Sequence, residues 1–253
     1  ASDVYKRQLF RRVFKDVVGE NVGDYIQRLR LEYIAFKLIS TNTRVSELLE
    51  QINFQNKHTL SRAFKKHFQM SIPAFRKAYS NVAYENKIIK QLEYSIKRIK
   101  EIKVAYLKFE RTHRNKQAYS TLWKQIMEFA KKYNLTDKGF KYVSISLDSL
   151  DITEIDKCRF LIGITVPYSM EIPKGFSVLN IQTGLYSVFN IKGRYHELNK
   201  IYRDIYLDWL PNSKYRLREQ MTFEIYTNTP DKASMEELVT EIYLPIEVKQ
   251  KIK

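Results

Sequence analysis

Residues 44–77 constrain the fold of this chain more than any other stretch. Apolar side chains recur there at helical spacing in two successive blocks, and a polar turn at Asn53 separates the blocks. Those of the first block are Val45, Leu48, Leu49 and Ile52, and those of the second are Leu60, Ala63, Phe64 and Phe68. The pattern predicts two short amphipathic helices joined by a tight turn, the second of which starts at about Lys57.

The second predicted helix carries a polar and cationic face opposite its apolar one. The side chains of that face are Lys57, His58, Ser61, Arg62, Lys65 and Lys66. A basic, one-sided helix after a tight turn suits entry into the major groove of DNA. Most basic helix faces, however, are only solvated. Periodicity alone favours the two alternatives about equally.

The same stretch resembles the AraC-type helix-turn-helix signature. Six signature positions are occupied as in that family, by Phe54, Arg62, Phe64, Lys65, Phe75 and Arg76. Four positions depart from it, namely Asn53, Leu60, Gln69 and Ile72, and Gln69 stands where the family has Gly. The resemblance implies a DNA-reading second helix, with Lys57, His58 and Arg62 placed for base contacts. Lys65 and Lys66 are better suited to phosphate contacts or to solvated charge.

A shift of 50 residues superposes the beginning of the chain on this stretch. Arg12, Phe14, Lys15 and Tyr25 then coincide with Arg62, Phe64, Lys65 and Phe75. The internal repeat predicts a second unit of the same kind, as in AraC-type domains, in which a long helix, here about 22–40, joins two such units. By the same offset, Arg11 and Arg12 become DNA-contacting candidates on a helix from about Arg7. The helix supporting it is expected before residue 1, and residues 2–8 fit the family pattern poorly.

Charge and cysteine usage agree with a nucleic-acid partner. Residues 1–100 hold 20 Lys and Arg against 9 Asp and Glu, whereas the remainder holds 24 against 19. A basic first part and a nearly balanced second part are typical of a DNA-binding module joined to a domain with another task. A single cysteine, Cys158, excludes an internal disulfide framework and favours a reducing compartment. No apolar run approaches the roughly 18 residues of a membrane span, so a cytoplasmic location is expected.

The second part of the chain reads as two strand–helix–strand–strand units. The predicted elements are strands at 102–109, 142–147, 159–166, 186–191, 222–226 and 239–244, and helices at 119–133 and 195–209. This order predicts an α+β domain with an antiparallel sheet and helices on one face. Pro167 and Pro245 are expected to end the two units. For the connector before them, a strand from about Glu93 is favoured over a helix that the spacing also allows.

The landmarks of this part resemble the GyrI-like effector-binding domain of multidrug-sensing regulators. They are Val104–Leu107, Asp148 with Lys157–Phe160, Gly193–Tyr195, Trp209–Pro211, Phe223–Tyr226 and Ile242–Ile246. The predicted organisation is therefore mixed. An all-α double helix-turn-helix domain occupies residues 1–80 and a linker 81–93. An α+β GyrI-like domain of two strand–helix–strand–strand repeats follows at 94–249.

Glu224 is the candidate for effector binding. In a strand, Phe223 and Ile225 face one side and Glu224 and Tyr226 the other. If helices cover the first side, Glu224 looks into a concave second side among aromatic residues. The family uses a Glu at this motif for cationic ligands, so the resemblance implies that Glu224 binds the effector. Tyr226, Trp209 and Tyr186 are the candidates for the aromatic walls of this site. The alternatives are a solvated or Lys-paired Glu224 and aromatic residues that belong to the core.

The leading hypothesis is a transcription regulator, more specifically an activator, that binds a small cationic or aromatic effector. Its expected partners are double-stranded DNA, the effector and RNA polymerase. No Ser/His/Asp order, metal cluster or Gly-rich phosphate loop is seen in the sequence, so no cofactor, metal or membrane is predicted. The first alternative is a small-molecule hydrolase in which Glu224 and a neighbouring Tyr activate water. The second is a protein that sequesters a ligand.

Overall fold

The computed structural model describes residues 2–41, 43–52, 54, 56–85, 92–110, 119–149, 152–154 and 157–249. The predicted turn residue Asn53 and residues 86–91 of the predicted linker lie outside these ranges. Within the described part of the chain, every helix is too short or too polar to span a bilayer.

Five helices form the first part of the molecule. They are α1 (Ser2–Val18), α2 (Val22–Ser40), α3 (Val45–Ile52), α4 (Lys57–Phe68) and α5 (Ile72–Glu85). The bounds predicted for the long helix and the predicted start of α4 are confirmed. Two bounds differ, because α1 begins at Ser2 rather than near Arg7 and α5 continues past residue 80 into the predicted linker. The apolar core of this part comprises Leu31, Ile34, Leu38, Leu48, Leu60, Phe64 and Phe75.

The 50-residue repeat is visible in the geometry of the helix ends. α1 ends at Val18 and α4 at Phe68, and the residue after each, Gly19 or Gln69, has positive φ, 88° and 56° respectively. The aromatic pair Phe14–Tyr25 meets edge-on with ring centroids 5.3 Å apart, and the matching pair Phe64–Phe75 does the same at 5.3 Å. The two units therefore share their helix-to-helix junction as well as their sequence pattern.

A curled antiparallel sheet with helices forms the second part. Its strands are β1 (Tyr94–Ile99), β2 (Ile102–Glu110), β3 (Tyr142–Ser146), β4 (Arg159–Thr165), β5 (Ser177–Ile181), β6 (Gly184–Lys192), β7 (Tyr215–Leu217), β8 (Phe223–Tyr226) and β9 (Val239–Val248). The helices are α6 (Tyr119–Lys132), α7 (Leu198–Asp204) and the short α8 (Leu210–Asn212), with a π-helical segment, Ile205–Trp209, between the last two. An all-α part followed by an α+β part confirms the predicted fold class.

Two pairs of consecutive strands close the sheet on itself. β1 continues almost directly into β2, and β5 into β6, so that each pair acts as one long bent strand. β1 pairs with β6, and β2 pairs with β5. The remaining order, β6–β9–β8–β3–β4–β2, returns to the same pair of bent strands. The inner face of the curl is filled by an apolar core that includes Val104, Val143, Tyr186 and Phe223.

Several details of the predicted sheet are wrong. β5 and β7 were not expected, and β9 runs through Pro245, which pairs with Tyr186 instead of ending the strand. More important for the site, the helices do not cover the side of β8 that holds Phe223 and Ile225. Those two side chains face the inside of the curl, whereas α6 and α7 lie over the side that holds Glu224 and Tyr226.

The two parts of the molecule touch along α2. The Arg159 guanidinium of β4 donates to the hydroxyl of Tyr25 over 2.8 Å and is itself fixed by Asp148. Ile152, in the connection between β3 and β4, packs against the apolar core of the helical part. Further along α2, Phe36 meets Tyr206 of the π-helical segment edge-on at 5.1 Å.

Candidate functional site

Local polar contacts define both ends of α4. The side chain of Asn56 accepts a hydrogen bond from the Thr59 backbone N–H over 2.9 Å, which caps the first turn. At the other end Gln69 takes the left-handed conformation that the family gives to Gly, with its side-chain amide donating to the Lys66 carbonyl. The chain therefore leaves α4 in the expected direction even though Gln replaces Gly.

One face of α4 is basic and accessible. Leu60 and Phe64 are fully buried on the opposite face, which fixes how the helix is rotated about its axis. All six predicted DNA-contacting side chains of this helix are exposed, namely Lys57, His58, Ser61, Arg62, Lys65 and Lys66. Arg11 and Arg12 are likewise exposed on α1. The helix contains no Asp or Glu, so its field is uniformly attractive to a phosphate backbone.

Three basic residues near this face, two arginines and a histidine, have structural contacts instead. Arg76, one of the six signature positions, donates to the Thr43 carbonyl over 2.7 Å and so ties α5 to the connection before α3. His67 lies 4.0 Å from the Glu32 carboxylate, and burial lowers the pKa of His67 below its usual value. Arg28 of α2 is buried between Glu20 and Glu32.

Glu224 lies in the middle of the sheet, paired through the backbone with Ser144 of β3 and Ile242 of β9. It is 9% exposed. Its two carboxylate oxygens each accept one tyrosine hydroxyl, from Tyr202 over 2.9 Å and from Tyr226 over 2.6 Å. Each oxygen can accept a second bond. Among the described residues, no cationic side chain pairs with this carboxylate.

Burial dominates the electrostatics of this cluster. It raises the pKa of Glu224 above the usual value, although the hydrogen bonds from Tyr226 and Tyr202 act in the opposite direction. Burial and the neighbouring carboxylate raise the pKa of both tyrosines well above 10. The same two causes raise the pKa of Tyr195 to about 12. A buried carboxylate that lacks a cation is destabilised in its charged form, so a cation brought to it by a ligand would be bound favourably.

Aromatic rings from three elements surround the carboxylate. Trp123 of α6 and Tyr195, just before α7, both meet the Tyr226 ring edge-on, at 5.3 Å and 5.1 Å. Tyr202 of α7 completes the group. The set Trp123, Tyr195, Tyr202, Glu224 and Tyr226 is called the Glu224 cluster below. Its ring faces and single carboxylate have the chemistry that recognises an organic cation.

The structure brings together only part of the predicted effector site. Glu224 and Tyr226 are in contact, as expected. Tyr186 lies on the inner side of the curl, where its ring packs against Phe223 and its hydroxyl donates to the Gln182 carbonyl. Because Phe223 and Glu224 point to opposite sides of β8, Tyr186 is not a wall of the Glu224 cluster, and that placement is corrected.

Trp209 is also placed away from this cluster. It lies at the end of the π-helical segment, and its ring contacts are with Tyr94, Phe189 and Tyr215, in the core under α7 and α8.

Sequence reasoning missed the three aromatic residues that the helices contribute. Trp123 lies in the helix that was predicted at 119–133, but it was given no role in the site, and its ring meets Tyr226. Tyr195 stood in a family landmark without a role, and Tyr202 was unremarked. The signal that could have found them is the helical spacing of Tyr195 and Tyr202 opposite a strand that presents a carboxylate.

These two sites define a class of protein, a helix-turn-helix DNA reader joined to a small-molecule binding module. The model of the GyrI-like small molecule binding domain matches residues 92–247, and that of a helix-turn-helix domain matches residues 4–78. The chain belongs to the GyrI-like family, with an AraC-type helix-turn-helix region before the GyrI-like domain.

Individual relatives match parts of the chain or most of it. The multiple antibiotic resistance protein MarA of Escherichia coli K12 is 29% identical over 90 residues, which are 36% of this chain and 69% of MarA. The transcriptional regulator Rob of Salmonella typhimurium is 34% identical over 74 residues, 29% of this chain and 26% of Rob. A solved EcmrR–DNA complex in EcmrR-RPo shares the fold over 91% of this chain and 86% of that one, with a TM-score of 0.50 and 15% identity. The chain is thus an AraC-type DNA-binding regulator with a small-molecule binding domain.

Proposed function

We propose that this protein activates transcription by binding operator DNA through α4 and α1, and that it responds to a small organic cation held by the Glu224 cluster. RNA polymerase is the proposed partner in activation. The likeness in fold to EcmrR, described in a complex with DNA and RPo, supports that choice. A protein that acts on chromosomal DNA in this way works in the bacterial cytoplasm.

The DNA half of the proposal rests on one exposed helix face. Arg62, Lys57 and His58 lie in the first half of α4, from which side chains reach base edges in helix-turn-helix complexes. An Arg there can donate two hydrogen bonds to guanine. Lys65 and Lys66, nearer the carboxyl end, are suited to the phosphates on either side. On α1, the exposed Arg11 and Arg12 are the proposed contacts of the first unit.

The effector half rests on a single observation, the buried carboxylate of Glu224. Two tyrosine hydroxyls are its hydrogen-bond donors, and they leave its negative charge uncompensated. Aromatic rings attract cations through their faces, so the buried charge and the rings around it favour the same class of ligand. A lipophilic aromatic cation such as tetraphenylphosphonium has that chemistry.

Fluorescence anisotropy tests the DNA half. The full chain is titrated onto DNA from upstream of its own gene and onto a scrambled duplex, over a range of salt concentrations. Selective binding to the upstream DNA, which weakens as salt rises, is expected. Equal binding to both duplexes would leave only a basic surface and would contradict the proposal.

Isothermal titration calorimetry tests the effector half. Tetraphenylphosphonium is expected to bind, whereas triphenylphosphine oxide, an uncharged aromatic molecule, is expected to bind more weakly. Binding that does not change the yield of run-off transcription in the presence of RNA polymerase would favour a ligand-sequestering protein. Consumption of an electrophilic substrate that disappears in the Glu224→Gln variant would favour a hydrolase.

A further inference from the structure

The helix that carries Tyr202 contains a π-helical turn. α7, the segment Ile205–Trp209 and α8 follow each other without a break, and the Leu210 backbone N–H bonds to the Ile205 carbonyl, five residues before it. No Pro or Gly lies within the segment. A π turn is rarer than an α turn and tends to occur at functional sites. Tertiary contacts therefore have to hold this one in place.

Two contacts tie the π turn to the Glu224 cluster. The rings of Tyr202 and Tyr206 are stacked at 6.2 Å with 15° between their planes. The Tyr206 hydroxyl shares a hydrogen bond with the Thr222 hydroxyl over 3.2 Å, and Thr222 immediately precedes β8. Because Tyr202 donates to Glu224, a movement of the carboxylate shifts the Tyr202 side chain, which is stacked directly on Tyr206.

A third contact ties the π turn to the DNA-binding part. The edge-on contact of Tyr206 with Phe36 joins the turn to α2, and α5 touches the same turn. α2 links the two helix-turn-helix units and supplies Leu31, Ile34 and Leu38 to their core. Tyr206 is therefore in contact with both functional halves.

The other patch of the interface is arranged differently. Arg159, Asp148 and Tyr25 form a fixed network at the connection between β3 and β4, and burial raises the pKa of Glu32 beside it. The side-chain hydrogen bonds described for this network join its members to one another and not to the Glu224 cluster. This ionic patch can hold the two parts together, whereas Tyr206 is stacked directly on a member of the cluster.

We propose that the contact between Tyr206 and Phe36 transmits effector binding at the Glu224 cluster to the DNA-binding helices. The inference rests on the proposed function. Because Glu224 is only 9% exposed, a cation has to displace the Tyr202 ring to reach the carboxylate, and the stacked Tyr206 ring moves with it. The π turn supplies the second arrangement that coupling requires, because its conversion to α-helical pairing rotates Tyr206 about the helix axis. Tyr206 and Phe36 are positioning residues and do not touch the ligand.

The test measures coupling separately from binding. The full chain and its Phe36→Leu, Tyr206→Leu and double variants are titrated with tetraphenylphosphonium, with and without saturating upstream DNA. Each is also titrated onto that DNA with and without the ligand. The coupling factor is the affinity for one ligand in the presence of the other, divided by its affinity in the absence of the other. It has to be the same whether it is measured for the cation or for the DNA. Ile39→Val is the matched control, since Ile39 lies on the same helix and packs against the DNA-binding core.

In the unsubstituted chain a coupling factor of about five or more is expected, the lower end of common allosteric values. Phe36→Leu and Tyr206→Leu are each expected to lower the coupling factor to about one while tetraphenylphosphonium still binds. The double variant is expected to have the same coupling factor as either single variant. Ile39→Val keeps the factor. A wild-type factor in Phe36→Leu overturns the inference. So does an unsubstituted chain that binds both ligands without coupling, although the proposed effector site then stands. Failure of the unsubstituted chain to bind the cation refutes the effector half of the proposed function, and the inference with it.

Discussion

The most informative perturbation is Glu224→Gln, because it removes one charge and little else. Glutamine has nearly the same shape as glutamate. Its oxygen can still accept one tyrosine hydroxyl, and its amide nitrogen can donate to the other hydroxyl. In the absence of ligand, the raised pKa means that the folded state binds a proton more tightly than the unfolded state does. The Glu224 carboxyl then stabilises the folded state most at a pH below the pKa that it has in the unfolded chain. This contribution declines as the pH rises through the pKa that it has in the folded protein. Glu224→Gln is therefore expected to be more stable than the wild type at pH 8, by about 1–3 kcal/mol, and nearly equal to it at pH 4.5.

The effect on ligand binding has the opposite sign. A cation about 4 Å from the carboxylate, at an effective dielectric constant of about 20, gains about 4 kcal/mol. The wild type bears the cost of the buried charge with or without ligand, so at a pH at which Glu224 is ionised that cost does not reduce the difference in affinity. A difference of about 4 kcal/mol corresponds to a loss of about 1,000-fold in cation affinity. In the wild type, affinity is expected to rise with pH as Glu224 ionises, and in the variant it is expected to be independent of pH.

Titration calorimetry with tetraphenylphosphonium at several pH values, together with urea unfolding at the same values, measures both effects. Glu241→Gln is a close control. Glu241 also accepts the hydroxyl of the tyrosine two positions later, Tyr243, over 2.9 Å, but it is partly exposed and paired with Lys97. It should leave cation binding unchanged. Equal tetraphenylphosphonium affinity in the wild type and in Glu224→Gln at every pH would refute the assignment of Glu224 as the cation's counter-charge.

Three further predictions concern the helical part. Arg62→Ala is expected to weaken binding to upstream DNA by about 1–3 kcal/mol and binding to scrambled DNA much less; equal losses on the two duplexes in anisotropy would make Arg62 a phosphate contact. Gln69→Gly is expected to raise the free energy of unfolding in urea by about 0.5–1 kcal/mol, because it relieves the φ of 56°; a lower urea midpoint would show that the contacts of the glutamine side chain outweigh its backbone strain. Arg28→Met leaves Glu32 buried without its cation and is expected to cost about 3–5 kcal/mol at pH 7. The loss should shrink in urea titrations at pH 5, as Glu32 takes up a proton, and a loss no larger than that of Arg30→Met would contradict the buried pairing.

The helical part could be predicted almost completely from the sequence. Its apolar spacing is local, so α2, α3 and α4 follow from residues that are neighbours along the chain. Gln69 was a departure from the family pattern, yet the backbone there adopts the same conformation as Gly19. Arg28 was harder, since burial of an arginine depends on two carboxylates, one of them eight positions before it. Periodicity carries no information about such pairs.

The site could be predicted only in part, because alternation along β8 gives two faces without saying what covers each. Glu224 and Tyr226 were correctly placed on one face, but the helices were expected on the other. The curl of the sheet decides this, since it fills the Phe223 side with strands and leaves the Glu224 side to α6 and α7. For that reason Tyr186 was predicted on the same side of the sheet as Glu224, which is the wrong side. Closure depends on the pairing of Tyr94 with Phe189, which no short stretch of sequence reveals.

That closing pair has a consequence for the order in which the molecule forms. The contacts within the helical part are short in sequence, whereas β1 has to wait for β6 before it has a partner. Local contacts form quickly, and distant strand pairing is slow. During synthesis the first domain to emerge generally folds first. The DNA-binding helices are then expected to be folded on the ribosome while the sensor is still incomplete. The contact between Phe36 and Tyr206 is then expected to form last. Its formation couples DNA-binding helices that are already folded to the ligand-binding domain.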